Sequence, residues 1–375
     1  MQQALLAAPK IAAFLPPQRI LMGPGPSDVH PQVLAAQARP TVGHLDPLFI
    51  GMMDELKQLL QYAFQTRNEM TLAVSAPGSA GMETCFVNLL EPGDTVIVCR
   101  NGVFGERMRQ NVERCGATAI TVDNTWGEPV DPAAVEAALK ANPEARYLAF
   151  VHAETSTGAL SDAKTLCALA QQYDCLSIVD AVTSLGGVEL RVDDWGIDAI
   201  YSGSQKCLSC VPGLSPVSFS PKAVERIKAR TRPVQSWFLD QSLVMSYWSG
   251  GAKRSYHHTA PVNALYALHE SLPVLHVLGL VHAGQHFLDL LRAAFKGQVV
   301  GHGRLDHPVG RLQLIVGGLL DGQQYIAFPG LAGESARDDV AASHDLPIAF
   351  ADDAGHGDGR EAGRRTGFDV AVNAL

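Results

Sequence analysis

The sequence predicts an α/β fold in which a largely parallel sheet lies between helices. Three observations carry this. Short apolar runs alternate with segments of helical periodicity at close spacing. Runs such as Ala199-Ile200-Tyr201 read as buried strands. Small and polar residues suited to a ligand follow several of these runs, at the carboxyl edge where open α/β sheets bind ligands.

The elements are expected in this order. Residues 1–22 form an N-terminal arm, and Gly23-Pro24-Gly25-Pro26-Ser27 is rigid turn chemistry, either a plain linker or a backbone held open beside a ligand. Residues 47–64 carry Phe49, Met52, Met53, Leu56, Leu59 and Leu60 at helical spacing. A strand at 70–74 leads into Ala76-Pro77-Gly78-Ser79-Ala80-Gly81 and a helix running to about Leu90. Small residues at a helix start leave N–H groups free and suit a phosphate, though most such turns hold no ligand. A strand at 95–99 precedes Asn101-Gly102-Val103-Phe104-Gly105 and a helix to Cys115; a strand follows at 117–122. Asp131 caps the next helix, with Pro132 in its first turn. A strand at 146–152 runs into Glu154-Thr155-Ser156-Thr157-Gly158; a helix fills 162–173 and a strand 175–179, ended by Asp180.

With 375 residues, 47% hydrophobic and 18% charged, the chain can build a large core and has room for two domains. A net charge of −9 argues against a nucleic-acid partner. Seven cysteines, an odd number, read as free thiols in a reducing cytoplasm. Cys207 and Cys210 form a C-x-x-C without the second pair a zinc site needs, so no metal is expected. No apolar run reaches the ~20 residues of a membrane span, and neither terminus reads as a secretory or peroxisomal address.

Lys206 is the centre of the pattern. It stands among small residues, Cys207 and Leu208, with no other charge before Lys222. A lysine partly removed from water loses stability in its charged form, and its amine becomes a nucleophile able to form a Schiff base with an aldehyde cofactor. A lysine snorkelling at a strand end has the same local sequence. Asp180 follows Leu176-Ser177-Ile178-Val179, so its carboxylate faces desolvation unless it is paired. A protonated pyridine nitrogen would suit it; an N-cap aspartate is the alternative. Phe104 fits either a ring stack or the core.

Six blocks together resemble the class V, fold-type I pyridoxal-phosphate aminotransferases, most closely the alanine–glyoxylate / serine–pyruvate branch. They are Gly23-Pro24-Gly25-Pro26-Ser27, Gly43-His44-Leu45-Asp46-Pro47, His152-Ala153-Glu154-Thr155-Ser156-Thr157-Gly158, Ser177-Ile178-Val179-Asp180-Ala181-Val182, Gly203-Ser204-Gln205-Lys206-Cys207 and Tyr256-His257-His258-Thr259-Ala260-Pro261. The resemblance implies a large domain over residues 23–279 built on a mostly parallel seven-stranded sheet. It implies pyridoxal 5'-phosphate held by Lys206, which then moves a proton between the substrate and the cofactor. Asp180 would pair with the pyridine nitrogen, Thr155 with the phenolic oxygen, and Phe104 would stack on the ring. Ser79, Ala80 and Gln205 would hold the phosphate, the first two largely through backbone N–H. Tyr256 and Thr259 would reach the phosphate of a neighbouring subunit, making the active unit a homodimer. Gly25 would lie near the substrate, and His44 matches the alanine–glyoxylate branch, where ureidoglycine–glyoxylate relatives tend to carry Gln. The implied reaction moves an amino group from alanine or serine to glyoxylate or pyruvate.

Beyond about Leu272 the motifs stop. Residues 280–375 lack the Trp-Arg-Ile-Gly-like strand whose arginine binds the substrate carboxylate in this family, and Arg360, Arg364 and Arg365 sit in no such context. A divergent folded domain, a shifted reading frame and a replacement segment all fit; the abrupt change beside intact upstream motifs favours the second. An impaired cofactor-binding homologue is therefore the alternative function. A lyase or cysteine desulfurase is disfavoured by the contexts of Lys206 and of Tyr256–Thr259.

Overall fold

The computed structural model describes residues 11–17, 19, 21, 23–248, 254–277, 303–307 and 310–314. All belong to the compact unit Met1–Gly333. The expectations for the tail, including Arg360, Arg364 and Arg365, lie outside the described residues. Of the arm, residues 11–17 carry no helix or strand, and Ile11, Phe14 and Leu15 are exposed.

The chain begins with α1 (Pro31–Gln37) and α2 (Pro47–Phe64). Then follow β1 (Met70–Val74), α3 (Gly78–Leu89), β2 (Thr95–Arg100), α4 (Val103–Arg114), β3 (Thr118–Asp123), α5 (Pro132–Ala141) and β4 (Tyr147–Val151). A short hairpin, β5 (Ala153–Glu154) and β6 (Ala159–Leu160), precedes α6 (Ala163–Gln172) and β7 (Leu176–Asp180). Next are α7 (Val192–Trp195), β8 (Ala199–Tyr201), β9 (Ser215–Phe219), α8 (Pro221–Lys228), α9 (Gln241–Trp248) and α10 (Val262–Val277). A further hairpin pairs β10 (Gly303–His307) with β11 (Gly310–Leu314).

Local chemistry sets these boundaries. Asp46 caps α2 by accepting from the Leu48 N–H at 2.8 Å, and Pro47 occupies the first turn, where its missing donor costs nothing. Asp131 with Pro132 starts α5 in the same way, and Asp162 caps α6 through the Thr165 N–H at 3.0 Å. The stripe of α2 buries Phe49, Met53, Leu56 and Leu60. α3 and α4 differ: their N-caps, Pro77 and Gly102, supply no side-chain cap. Both helices begin beside the site.

Seven strands form one sheet in the order β1-β9-β8-β7-β4-β2-β3. All run parallel except β9, which is antiparallel to both β1 and β8. β4 and β7 are buried along their whole length, as interior parallel strands are when helices cover both faces. The register puts Val151 opposite Asp180 and Asp180 opposite Tyr201, so the carboxyl ends of β4, β7 and β8 form one edge.

Candidate active site

Asp180, the last residue of β7, is 2% exposed. One oxygen accepts the Val182 N–H at 2.8 Å and the other the Tyr201 hydroxyl at 2.7 Å. No α-helix begins behind Asp180, so it is not an N-cap. Burial pushes its carboxyl up to about 7; the bonds from Val182 and Tyr201 pull it down, Glu154 raises it and Arg107 lowers it.

Lys206 lies on the turn after β8 and is partly buried. Burial lowers its pKa, while the charges of Cys207 and Asp180 pull the other way. Gly25 supplies the opposite wall. Its φ is +132°, a conformation that favours glycine, and a Cβ there would strike the Lys206 side chain, coming within 2.7 Å of Nζ. The Ser27 N–H donates to Gln205 O at 3.1 Å and its hydroxyl to Lys206 O at 3.1 Å. The Gly-Pro stretch is thereby fastened to the lysine turn and is not a free linker.

The turn before α3 closes the next side. A Cβ at Gly78 would touch Val182 Cγ2 at 3.4 Å and Gly203 Cα at 3.7 Å, and one at Gly203 would touch Gln205 Oε1 at 3.1 Å. The Gln205 Oε1 atom is buried and unpartnered. Ser79 is exposed at the helix start, where Arg107 Nη1 donates to its Oγ at 3.4 Å. The Ala80 N–H donates to Pro77 O at 2.7 Å, a tight first turn of α3. Thr155 reaches Thr183 Oγ1 at 3.2 Å, and Thr183 donates to Ala153 O at 2.7 Å. Phe104, in the first turn of α4, carries the Arg107 guanidinium 4.9 Å from its ring centroid.

Gly25, Ser79, Ala80, Phe104, Thr155, Asp180, Gln205 and Lys206 thus gather at one sheet edge. Tyr256 and Thr259 are both exposed, with the Tyr256 ring 5.2 Å from that of His44. The neighbouring His258 meets Ser75 Oγ at 2.7 Å. Thr183, Tyr201 and Ser27 are partners the sequence did not single out. Tyr201 reads as core, and only the β7–β8 register brings its hydroxyl to Asp180. A cleft of about 680 Å³ lies at the opposite edge of the sheet, lined by Glu91, Asp94, Arg146, Lys222 and Arg226. Its ion pairs, Arg226 with Glu91 and Asp94 and Lys222 with Asp174, satisfy one another, so it carries no comparable chemistry.

The family model "Aminotransferase class-V" matches residues 29–297. The chain belongs to the class-V aminotransferases. It is 42% identical over 296 residues to the alanine–glyoxylate aminotransferase of Oryctolagus cuniculus, covering 78% of this chain and 75% of that one. It is 32% identical over 357 residues to the (S)-ureidoglycine–glyoxylate transaminase of Bacillus subtilis, covering 89% and 82%. The crystal structure of an alanine–glyoxylate aminotransferase from Nostoc sp. superposes with a TM-score of 0.73 at 39% identity, covering 83% of both chains. These likenesses agree with the fold-type I sheet and with an aminotransferase; the impaired-homologue alternative draws no specific support from them. A cysteine desulfurase from Thermococcus onnurineus, at 12% identity and a TM-score of 0.56, shares the fold alone. The family match runs past Leu272 to residue 297, later than the motifs alone place its end.

Proposed function

We propose that this chain is a pyridoxal 5'-phosphate-dependent aminotransferase that moves the amino group of alanine or serine to glyoxylate or pyruvate, working as a homodimer in the cytoplasm. The observation that carries it is a pair at one sheet edge: a partly buried Lys206 on the turn after β8 and a buried Asp180 at the end of the adjoining β7, neither in an ion pair among the described residues. The names of the relatives, alanine–glyoxylate and ureidoglycine–glyoxylate aminotransferases, favour glyoxylate as acceptor. Among the described residues no helix is long and apolar enough to cross a membrane.

The residues present fit the cofactor. Asp180 is a buried carboxyl with no cation beside it among the described residues, and α3 starts at Gly78 and the exposed Ser79 with no side-chain cap over its first amides. When bound, pyridoxal phosphate supplies an aldehyde carbon that takes up amines and a ring that withdraws electrons from the substrate α-carbon. Lys206 would hold it covalently and, once displaced by substrate, move a proton from and to the α-carbon; burial keeps more of its amine neutral. Asp180 would hold a proton on the ring nitrogen through a charge-assisted bond. Thr155, braced by Thr183, would orient the ring through its hydroxyl, and Phe104 would cover one face. Ser79 and Gln205 would hold the phosphate, joined from the partner by Tyr256 and Thr259. Gly25 keeps the wall beside Lys206 free of a side chain.

The test is a direct assay. The purified full chain with pyridoxal phosphate should convert alanine and glyoxylate to pyruvate and glycine. Lys206→Ala should lose turnover by several orders of magnitude while still binding the cofactor reversibly. A folded, cofactor-loaded protein that transaminates neither alanine nor serine refutes the assignment, and normal turnover by Lys206→Ala refutes the role of the lysine.

A further inference from the structure

Glu154 is the one acidic residue in the Thr155 loop, and the reading above leaves it without a task. It is 1% exposed. Among the described residues it forms no ion pair; its partners are backbone amides and a hydroxyl. One oxygen accepts the N–H groups of Phe104 and Gly105, each at 3.2 Å. The other accepts the Ser156 N–H at 3.1 Å and the Ser156 hydroxyl at 2.6 Å. Ser156 Oγ in turn accepts the Val103 N–H at 2.9 Å. The first three amides of α4 are therefore held from a loop some fifty positions later in the chain, not by the N-cap. Gly102 makes room for this: a Cβ there would come within 2.5 Å of Glu154 Cδ and 2.6 Å of Ser156 Oγ.

An anion against unpaired amides at a helix start is favourable in itself. The placement of this one is specific. It grips the backbone of Phe104, and it is bonded in sequence to Thr155, the residue read as orienting the same ring from its edge. We propose that Glu154 is a positioning residue that fastens the first turn of α4 to the loop after β5, so that the Phe104 ring is held in a fixed position against the cofactor ring. The proposal rests on the function assigned above.

A helix cap that only stabilises α4 would weaken folding and cofactor binding independently of Phe104. A positioning residue acts through Phe104, and its effect disappears when that ring is gone. The experiment is a cycle on the cofactor-free full chain: equilibrium binding of pyridoxal phosphate, followed by tryptophan fluorescence, for the wild type, Glu154→Gln, Phe104→Ala and the double variant. Gln keeps the shape but turns a donor toward groups that donate. Each single change should weaken binding about tenfold, the loss of one good cap or one stacked ring, and the double variant should bind like Phe104→Ala alone. Losses that multiply in the double variant, or wild-type affinity in Glu154→Gln, overturn the proposal while the wild type's own binding leaves the assigned function standing. A wild type that does not bind removes both. If Glu154→Gln does not fold, Gly102→Ala takes its place in the cycle, since it displaces the carboxylate and keeps its charge. Should neither fold, Glu154 is structural and the proposal fails.

Discussion

At the scale of single residues, Asp180 shows how desolvation and function meet. Its folded pKa of about 7 stands above the ordinary 3.8, chiefly because burial disfavours the charged form. A carboxyl raised in this way adds stability that is complete below the ordinary value and is lost as pH rises through the folded one. Without cofactor, the chain should therefore lose on the order of 4 kcal/mol from this group between about pH 4 and pH 7. Asp180→Asn removes the titration. Its cofactor-free melting temperature should approach that of the wild type near pH 5 and exceed it near pH 8, in a scan at about one-unit steps. Added pyridoxal phosphate should reverse the order at the higher pH, because the wild-type carboxylate then gains a cation. A difference between the two proteins that stays flat with pH would show that Asp180 does not titrate as a buried acid.

At the scale of elements, the two edges of the sheet are built for different purposes. The carboxyl edge leaves Lys206, Asp180 and Glu154 without ion pairs among the described residues; the amino edge ties its charges together. There α8, capped by Ser220 through the Ala223 N–H at 3.1 Å, aims Arg226 at the turn before β2. Its guanidinium reaches Glu91 at 3.0 Å, Asp94 at 2.9 Å and the Tyr147 hydroxyl at 2.7 Å, and Tyr147 donates to Leu89 O. One planar fork thus joins α8, β4 and the end of α3, a geometry lysine does not reproduce. Arg226→Met keeps most of the stem and leaves two carboxylates facing each other half-buried. Urea unfolding should show a loss of about 2 kcal/mol, with kcat and KM of the folded enzyme unchanged, since the chemistry lies at the other edge. An unchanged midpoint would reduce the network to a surface ornament.

The elements also show what sequence reasoning reaches. Aspartate-proline starts and apolar runs placed α2, α5, α6, β1, β4 and β7 to within a residue or two, because their signals are local. The single reversed strand, β9, rests on pairing with strands 140 or more residues earlier in one case and close by in the other, and no local pattern records that. The same holds within the site. Lys206 and Asp180 were legible as polar residues at strand ends. The Tyr201 hydroxyl on Asp180 and the Glu154 carboxylate on α4 were not, since each depends on register between distant segments. Nor does a small residue at a helix start reveal that the Ala80 N–H closes a tight first turn on Pro77 O.

At the scale of the whole molecule, the proposed homodimer joins Lys206 of one copy to the pair Tyr256 and Thr259 of the other. Both members of the pair are exposed on the single chain, and Trp237, Leu48 and Leu45 are exposed apolar residues too. In the proposed homodimer the exposure of Tyr256 and Thr259 is accounted for, because a second copy would bring its phosphate to them. Mixed dimers decide whether it does. Lys206→Ala lacks the amine, and a Tyr256→Phe, Thr259→Ala double variant lacks the phosphate donors. In a hybrid of the two, one site carries every lesion, while the other joins an intact lysine from one subunit to intact Tyr256 and Thr259 from its partner. Unfolding and refolding an equal mixture makes half the dimers hybrid, so activity at limiting cofactor should recover to about one quarter of the wild type. Sites built from one chain alone would give no such gain, because each hybrid site would still carry one lesion, and the activity of the mixture would stay at the mean of its two parents.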